Sequence, residues 1–305
     1  MTSAIQETLP ATLARPSRRK RVVLSLARAE SRRLLRHPFF LVGLTLSAVR
    51  LATERDISPA KVGYDWYSGS VGGTYMDLGG AALLWLALAT LVSLNLAALR
   101  GHRDRTEETY RSLPAGARSR TAAQLLAVAW PFGIGAVLVG AGFLYVGADR
   151  GLFVDYAGRT AVPSRFELAQ GPLVVLVLGV LGVALGVWVP RFSVTLIVAF
   201  AIFATEWIFV FSVGVLSSLH WLVPLADPAE YTRAGAHFPP ATPKEDGLAG
   251  FAVGAAGWHL LYLTALAIVL AALALLRYSS RRRVLAAGVV ALIVLVAAAL
   301  LQVWA

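Results

Sequence analysis

Residues 100–124, RGHRDRTEETYRSLPAGARSRTAAQ, form a charged island between two long apolar runs, and their reading decides the fold. Glu107 and Glu108 stand four and three residues before Arg111, so a short helix here carries its own ion pairs. Leu113 precedes Pro114, which disfavours helix at that position, and Gly116 frees the turn. Ser119 is placed to cap a second helix that runs into the next apolar segment. A stretch this charged cannot lie in hydrocarbon. It faces water, where it can contact a partner, and the apolar runs on either side read as membrane spans.

The composition agrees. The chain has 305 residues, is 57% hydrophobic and has a mean hydropathy of +0.68. Soluble domains carry about 25% charged residues; here the share is 15%, gathered between apolar runs. That pattern is an all-α, polytopic transmembrane helical bundle of six to seven spans. The net charge of +11 is explained by orientation and not by nucleic acid, because the basic residues gather in alternate segments. With no cysteine there is neither a disulfide framework nor a thiolate metal site. The basic run at 18–21 is followed by Arg28, Glu30, Arg32 and Arg33, not by the apolar core of a signal peptide.

In chain order, residues 1–21 read as a disordered cytoplasmic tail, with Pro10 and Pro16 among scattered polar residues. The membrane-spanning body is 22–305. Residues 22–36 have helical periodicity, with Val23, Leu24, Ala27, Leu34 and Leu35 on one side and Arg28, Arg32, Arg33 and Arg36 on the other. This predicts an amphipathic helix in the membrane interface, its arginines toward anionic lipid headgroups. The first span is 38–53, short for ~20 residues but able to let Arg50 snorkel from its outer end; a tilted or re-entrant segment is the other reading. Further spans are expected at 78–99, 122–147, 171–189, 192–215 and 251–276, with a seventh apolar run at 284–303. Pro131 should kink the third span. Gly182 and Gly186 in the fourth signal close helix packing. The inner segments hold the N-terminal arginines, the stretch 100–121, Arg191 and Arg277 to Arg283; the segments 54–77, 148–168 and 216–250 are outside, the last being the longest and rich in proline. The N-terminus is therefore cytoplasmic and the chain belongs in the cytoplasmic membrane. No internal repeat supports a repeat-built secondary transporter.

The run Glu107-x-Thr109-Tyr110-x-Ser112-Leu113-Pro114, then Arg118, Arg120 and a new apolar helix, resembles the cytoplasmic loop after the second span of ABC-type exporter permeases. The layout of residues 22–277 resembles that family too. This chain carries Gln124 near the place where the family often has a basic residue. The resemblance implies six spans, so that the last apolar run is either an added seventh helix or a departure. It implies that Glu107, Glu108, Thr109, Tyr110, Ser112, Leu113, Pro114, Arg118 and Arg120 dock on a separate cytoplasmic ATP-binding subunit. It also implies that the N-terminal amphipathic helix belongs to that surface, and that a second permease copy or a paralogue completes the path.

The chain has no G-x-x-x-x-G-K-[ST] loop, since Lys20, Lys61 and Lys244 all lie in other contexts. It is read as not an enzyme and as needing no cofactor, with ATP hydrolysis on the other subunit. Glu206 is the only acid assigned to a span, about 20 Å from the inner end. A carboxylate at that depth is costly; it either handles a cationic substrate or gate, or pairs with a structural partner such as Arg50. His220, His237 and His259 fall outside with no metal-ligand spacing, so no metal is assigned. Protease signatures are missing as well. Two other classes fit the same spans: a non-transporting protein that binds a partner or senses, and an ion-coupled secondary transporter.

Overall fold

The computed structural model describes residues 16–53, 83–103, 116–150, 154–156, 159–162, 165–211, 222–224, 232–233, 236–237, 256–278 and 282–304. Its helices are α1 (Pro16–Leu35), α2 (Pro38–Thr53), α3 (Leu84–Arg103), α4 (Ala117–Ala127), α5 (Ala129–Arg150), α6 (Arg165–Trp188), α7 (Phe192–Phe211), α8 (Ala256–Leu276) and α9 (Arg282–Trp304). Four short strands, β1 (Val154–Tyr156), β2 (Arg159–Val162), β3 (Thr232–Arg233) and β4 (Ala236–His237), pair antiparallel in that order. Ala161 stands opposite Arg233, so this small ladder joins the segment after α5 to the segment after α7. Periodicity had given no sign of it.

Punctuating residues set the helix ends. Pro38 opens α2, and the residue before it, His37, is disfavoured in helix. The chain bends there by 64° between α1 and α2. Gly116 precedes α4, and its carbonyl accepts from the backbone N–H of Ser119 at 2.9 Å and of Arg120. Ser119 is therefore not the cap: no side chain caps α4, and Ser119 is buried within its first turn. Where Pro131 is expected to kink its span, the helical hydrogen bonding is interrupted. Pro131 has no N–H for the carbonyl of Ala127, and the helix breaks at Val128, whose N–H bonds Leu125 instead at 3.3 Å.

Contacts fix how the helices run. Ser47 of α2 accepts from the Leu86 N–H at 3.0 Å, while His37 meets Ser93, so α2 and α3 are antiparallel. Asn95 of α3 donates to the Gly182 carbonyl of α6 at 3.3 Å, and Gly186 lies against Ala98, so α3 and α6 are parallel. Trp188 donates to the Leu273 carbonyl at 3.0 Å, which sets α8 parallel to α6. His259 meets Gln302, and Gly288 faces Ala272, so α9 runs back along α8. One end of the bundle thus collects Arg36, Arg100, Arg120, Arg191, Arg277, Arg282 and Arg283. It is called the basic end below.

α6 is the central helix, packed against α3, α8 and α5. Its glycines make this possible. A Cβ on Gly182 would strike the Leu91 carbonyl, and one on Gly179 would meet Val128, Thr90 and Leu94. The small-residue spacing in α6 is thus used for close packing. Around this core, large apolar side chains point outward, among them Phe200 and Leu144 at 71% exposure each. An outer apolar surface of this extent suits lipid and not water.

Four helical segments are long and apolar enough to cross a membrane: Ala117–Leu144, Arg165–Trp188, Ala256–Leu276 and Arg282–Gln302. The bent pair α1–α2 makes a fifth if it is one broken span. The apolar parts of α3 and α7 are shorter, at Leu84–Arg100 and Phe192–Thr205. These helices fit a membrane protein. α6 starts at Arg165, six residues before the expected 171, and Glu167 in its first turn is only 3% exposed. Glu206 is therefore not the only acid in a candidate span. Charged Arg165 and Glu167 had read as loop, but Glu167 is buried against neighbouring helices while Arg165 stays exposed at the helix start.

Candidate functional site

The residues singled out in the sequence fall in three places. Glu107, Glu108, Thr109, Tyr110, Ser112, Leu113 and Pro114 lie outside the described residues. Both stems of their loop are described: α3 carries the chain to Arg103, and α4 takes it up at Ala117. Arg118 and Arg120 are half-buried in the first turn of α4. Arg28, Arg32, Arg33 and Arg36 are all exposed, three of them along α1 and Arg36 just past its end. Arg50 is exposed in the last turn of α2. Glu206 belongs to α7, with its side chain outside the described residues.

What the fold brings together is α1 and the two stems. α1 packs mainly on α4. Its buried residues, Ala27, Ser31 and Leu34, follow helical spacing and form one stripe. The buried residues of α4 are also small: Ser119, Thr121, Ala123 and Ala127. Small side chains on both helices let the backbones approach closely. Ser31 satisfies its hydroxyl on the Ala27 carbonyl at 2.8 Å, and Thr121 on Ala117 at 3.2 Å, so neither leaves an open donor at the seam.

The other stem is tied by charge. Glu30 of α1 sits between Arg33, 3.2 Å away on its own helix, and Arg100 of α3 at 3.6 Å. Arg33 is largely exposed, so that pair adds little. The Arg100 contact does the positioning, because it links elements seventy residues apart. At the elbow, His37 Nδ1 and Ser93 Oγ are 3.3 Å apart. Burial, and then the positive charge of Arg100, hold the His37 imidazole below the ordinary histidine pKa. A neutral ring is the form that suits a site beside a guanidinium.

Gln124 closes the arrangement. Its side-chain amide donates to the Ala97 carbonyl of α3 at 3.2 Å, holding the two stems together one to two turns below the loop. A longer basic side chain there would not make this bond in the same place. Asn95, two residues further along α3, joins α3 to the glycine face of α6. Force applied to the loop would therefore pass to α1, α3, α4 and α6 together.

Sequence reasoning missed Glu30, Arg100, His37, Ser93 and Asn95 as a connected set. Asn95 within an apolar run and His37 just before a proline were the available signals. Opposite the basic end, buried polar residues were also missed: Glu167 and Gln170 on α6, His259 on α8 and Gln302 on α9. His259 Nδ1 and Gln302 Oε1 are 3.1 Å apart, and Tyr262 donates its hydroxyl to the Leu222 carbonyl at 2.7 Å. Among the described residues, no group of three or more His, Cys, Asp or Glu could hold a metal ion. No family model, curated protein or solved structure matches the chain.

Proposed function

We propose that this chain is the membrane-spanning permease subunit of an ATP-driven ABC-type export system. A separate cytoplasmic ATP-binding subunit grips the loop from Glu107 to Pro114 and the exposed arginines of α1. A second copy or a paralogue completes the path. The N-terminus and the basic end face the cytoplasm, as the distribution of arginine requires. In this reading α2, α3, α4–α5, α6, α7 and α8 are six spans, α9 is an added seventh, and α1 lies in the interface.

The observation that carries the proposal is the seating of α1 on α4, together with the Glu30–Arg100 contact. A loop that transmits force needs stems joined to something that moves with them. Here both stems meet one helix, and that helix shows four exposed arginines to the water side at and just past its C-terminal half. Closure of the ATP-binding subunits would shift α1 and the stems, and through Asn95 and the α6 glycines the central helices.

Purification of the tagged chain from its native membranes in mild detergent tests this. A stoichiometric ATP-binding subunit should accompany it, and Leu113→Asp or Glu107→Ala should reduce that recovery or uncouple ATP hydrolysis from transport while the chain stays inserted. A folded chain that never brings an ATPase with it rejects the exporter reading and favours a non-transporting or ion-coupled protein. Glu206 either handles a cationic substrate or gate, or has a structural partner such as Arg50. In the first case Glu206→Gln should abolish export, and unchanged export at normal expression removes Glu206 from that role.

A further inference from the structure

We infer that the chain carries an anionic phospholipid site at the basic end, on the side of the bundle where the α6–α7 turn meets the end of α8 and the start of α9. It is separate from α1. The inference rests on the membrane-spanning reading and is independent of the exporter assignment.

The site is built around Trp188. Its indole Nε1 donates to the Leu273 carbonyl at 3.0 Å, which fixes the ring at the last turn of α6. The Arg277 guanidinium lies over that ring, 5.2 Å from its centre. Stacking pre-orients the cation and leaves its N–H donors directed away from the ring face. Arg282 and Arg283 then begin α9. The facing of Gly288 and Ala272 gives their height. Arg282 lies six residues before Gly288, and Arg277 five after Ala272. At 1.5 Å per residue both are about 8 Å beyond that contact, on the same level. Arg191 projects from the neighbouring turn, where its N–H bonds the Val189 carbonyl at 2.7 Å.

All four arginines are exposed, and among the described residues none of them pairs with a carboxylate. That distinguishes this corner from α1, where Glu30 already neutralises part of the charge. Four cations without an acid call for an anion. The surface that continues from them says which kind. Directly along α9, Leu285, Val289 and Leu292 are about half exposed. An anionic head joined to a hydrocarbon chain matches both parts, with its phosphodiester on Arg277, Arg282 and Arg283 and its acyl chain on α9. An acidic protein surface or a nucleic acid would use the charge and leave the apolar strip unmatched. Each basic residue near an anionic surface contributes measurably to such binding. A lipid held there would also bridge α9 to α6, two helices that both pack extensively on α8.

The test is native mass spectrometry of the full chain in detergent, titrated with phosphatidylglycerol or with phosphatidylcholine of the same acyl chains. Wild type should retain phosphatidylglycerol in preference to phosphatidylcholine. Arg282→Gln/Arg283→Gln should weaken phosphatidylglycerol binding by roughly an order of magnitude, while Arg28→Gln/Arg32→Gln should leave most of it. Trp188→Leu, which keeps all the charge, should weaken it less, by freeing Arg277. Equal retention of the two lipids by wild type overturns the inference. So does phosphatidylglycerol binding that survives Arg282→Gln/Arg283→Gln, or that is lost only in the α1 variant. Glycerol phosphate, which has the head without the chain, should fail to compete at the same concentration; effective competition would show an anion pocket and not a lipid site. Should the double variant be recovered poorly, the Trp188→Leu result decides alone: binding equal to wild type overturns the proposal.

Discussion

The α3–α6 pair and the α8–α9 pair are both apolar and both long, yet they are packed on different terms. In α6 72% of the span is buried, and in α9 only 11%, although α9 is the more apolar helix. Apolarity thus does not decide burial in this chain, because lipid is as good a solvent for leucine as another helix is. What decides it is shape and polar pairing. α6 offers glycines at 179, 182 and 186, which admit α3 to backbone contact, and Asn95 locks that contact. α9 offers one glycine, Gly288, a few buried alanines such as Ala291 and Ala298, and one polar bond to α8.

The largest expected effect follows from the glycines. Gly182→Ala should destabilise the bundle by at least about 1–3 kcal/mol, because the new Cβ meets the Leu91 carbonyl, a backbone atom that cannot swing away. Gly288→Ala meets only the Ala272 Cβ at 3.1 Å, and α9 packs chiefly on α8, along which it is free to shift. It should cost well under about 1 kcal/mol. Gly140→Ala has nothing within 4 Å and serves as the control. Unfolding midpoints of the three variants in detergent give the order. A Gly288 variant as damaged as the Gly182 variant would remove the distinction between the two pairs.

A smaller effect is expected at the one buried polar link of α9. Gln302→Leu removes the contact with His259 Nδ1 in a fully buried place. Polar contacts between membrane helices contribute about 0.6–2 kcal/mol. The loss should appear as looser attachment of α9, read by faster hydrogen exchange in α9 than in α3 or α6. Equal exchange in variant and wild type would mean that α9 is held by its alanine face alone.

Much of this was legible in the sequence, and the gaps have physical causes. Residues 38–53 were bounded correctly because Pro38 marks a start whatever lies around it. The glycine spacing named the close contact of α6, since only a backbone approach explains two glycines a turn apart. The expected Ser119 cap failed because Gly116 supplies a carbonyl that serves the same turn without a side chain. The start of α6 was missed because Glu167 reads as a loop residue until its neighbours are known. The Glu30–Arg100 and His37–Ser93 contacts join residues about 56–70 positions apart, and nothing local in a sequence encodes a partner at that separation. The charge of residues 100–124 was plain in the sequence, while what the two stems touch came only from the fold.

His37 offers the finest test of the basic end against the rest of the bundle. Desolvation and the neighbouring Arg100 lower its pKa in the folded chain from the ordinary 6.5. As the pH falls below 6.5, the unfolded chain therefore takes up a proton before the folded one does. The stabilisation from this neutral imidazole is complete above that value and is lost as the pH drops toward the folded pKa. A window between about pH 5.5 and 8 spans the ordinary histidine titration. Wild type should unfold at a slightly lower temperature at the acid end of that window. His37→Gln, which cannot titrate and can still reach Ser93, should flatten the dependence. Because the elbow joins α1 to α2 and lies far from α9, the Gln302→Leu variant should keep the wild-type pH slope. A slope that vanishes in Gln302→Leu and survives in His37→Gln would make the weakly packed pair, not the elbow, the pH-sensitive part of the fold.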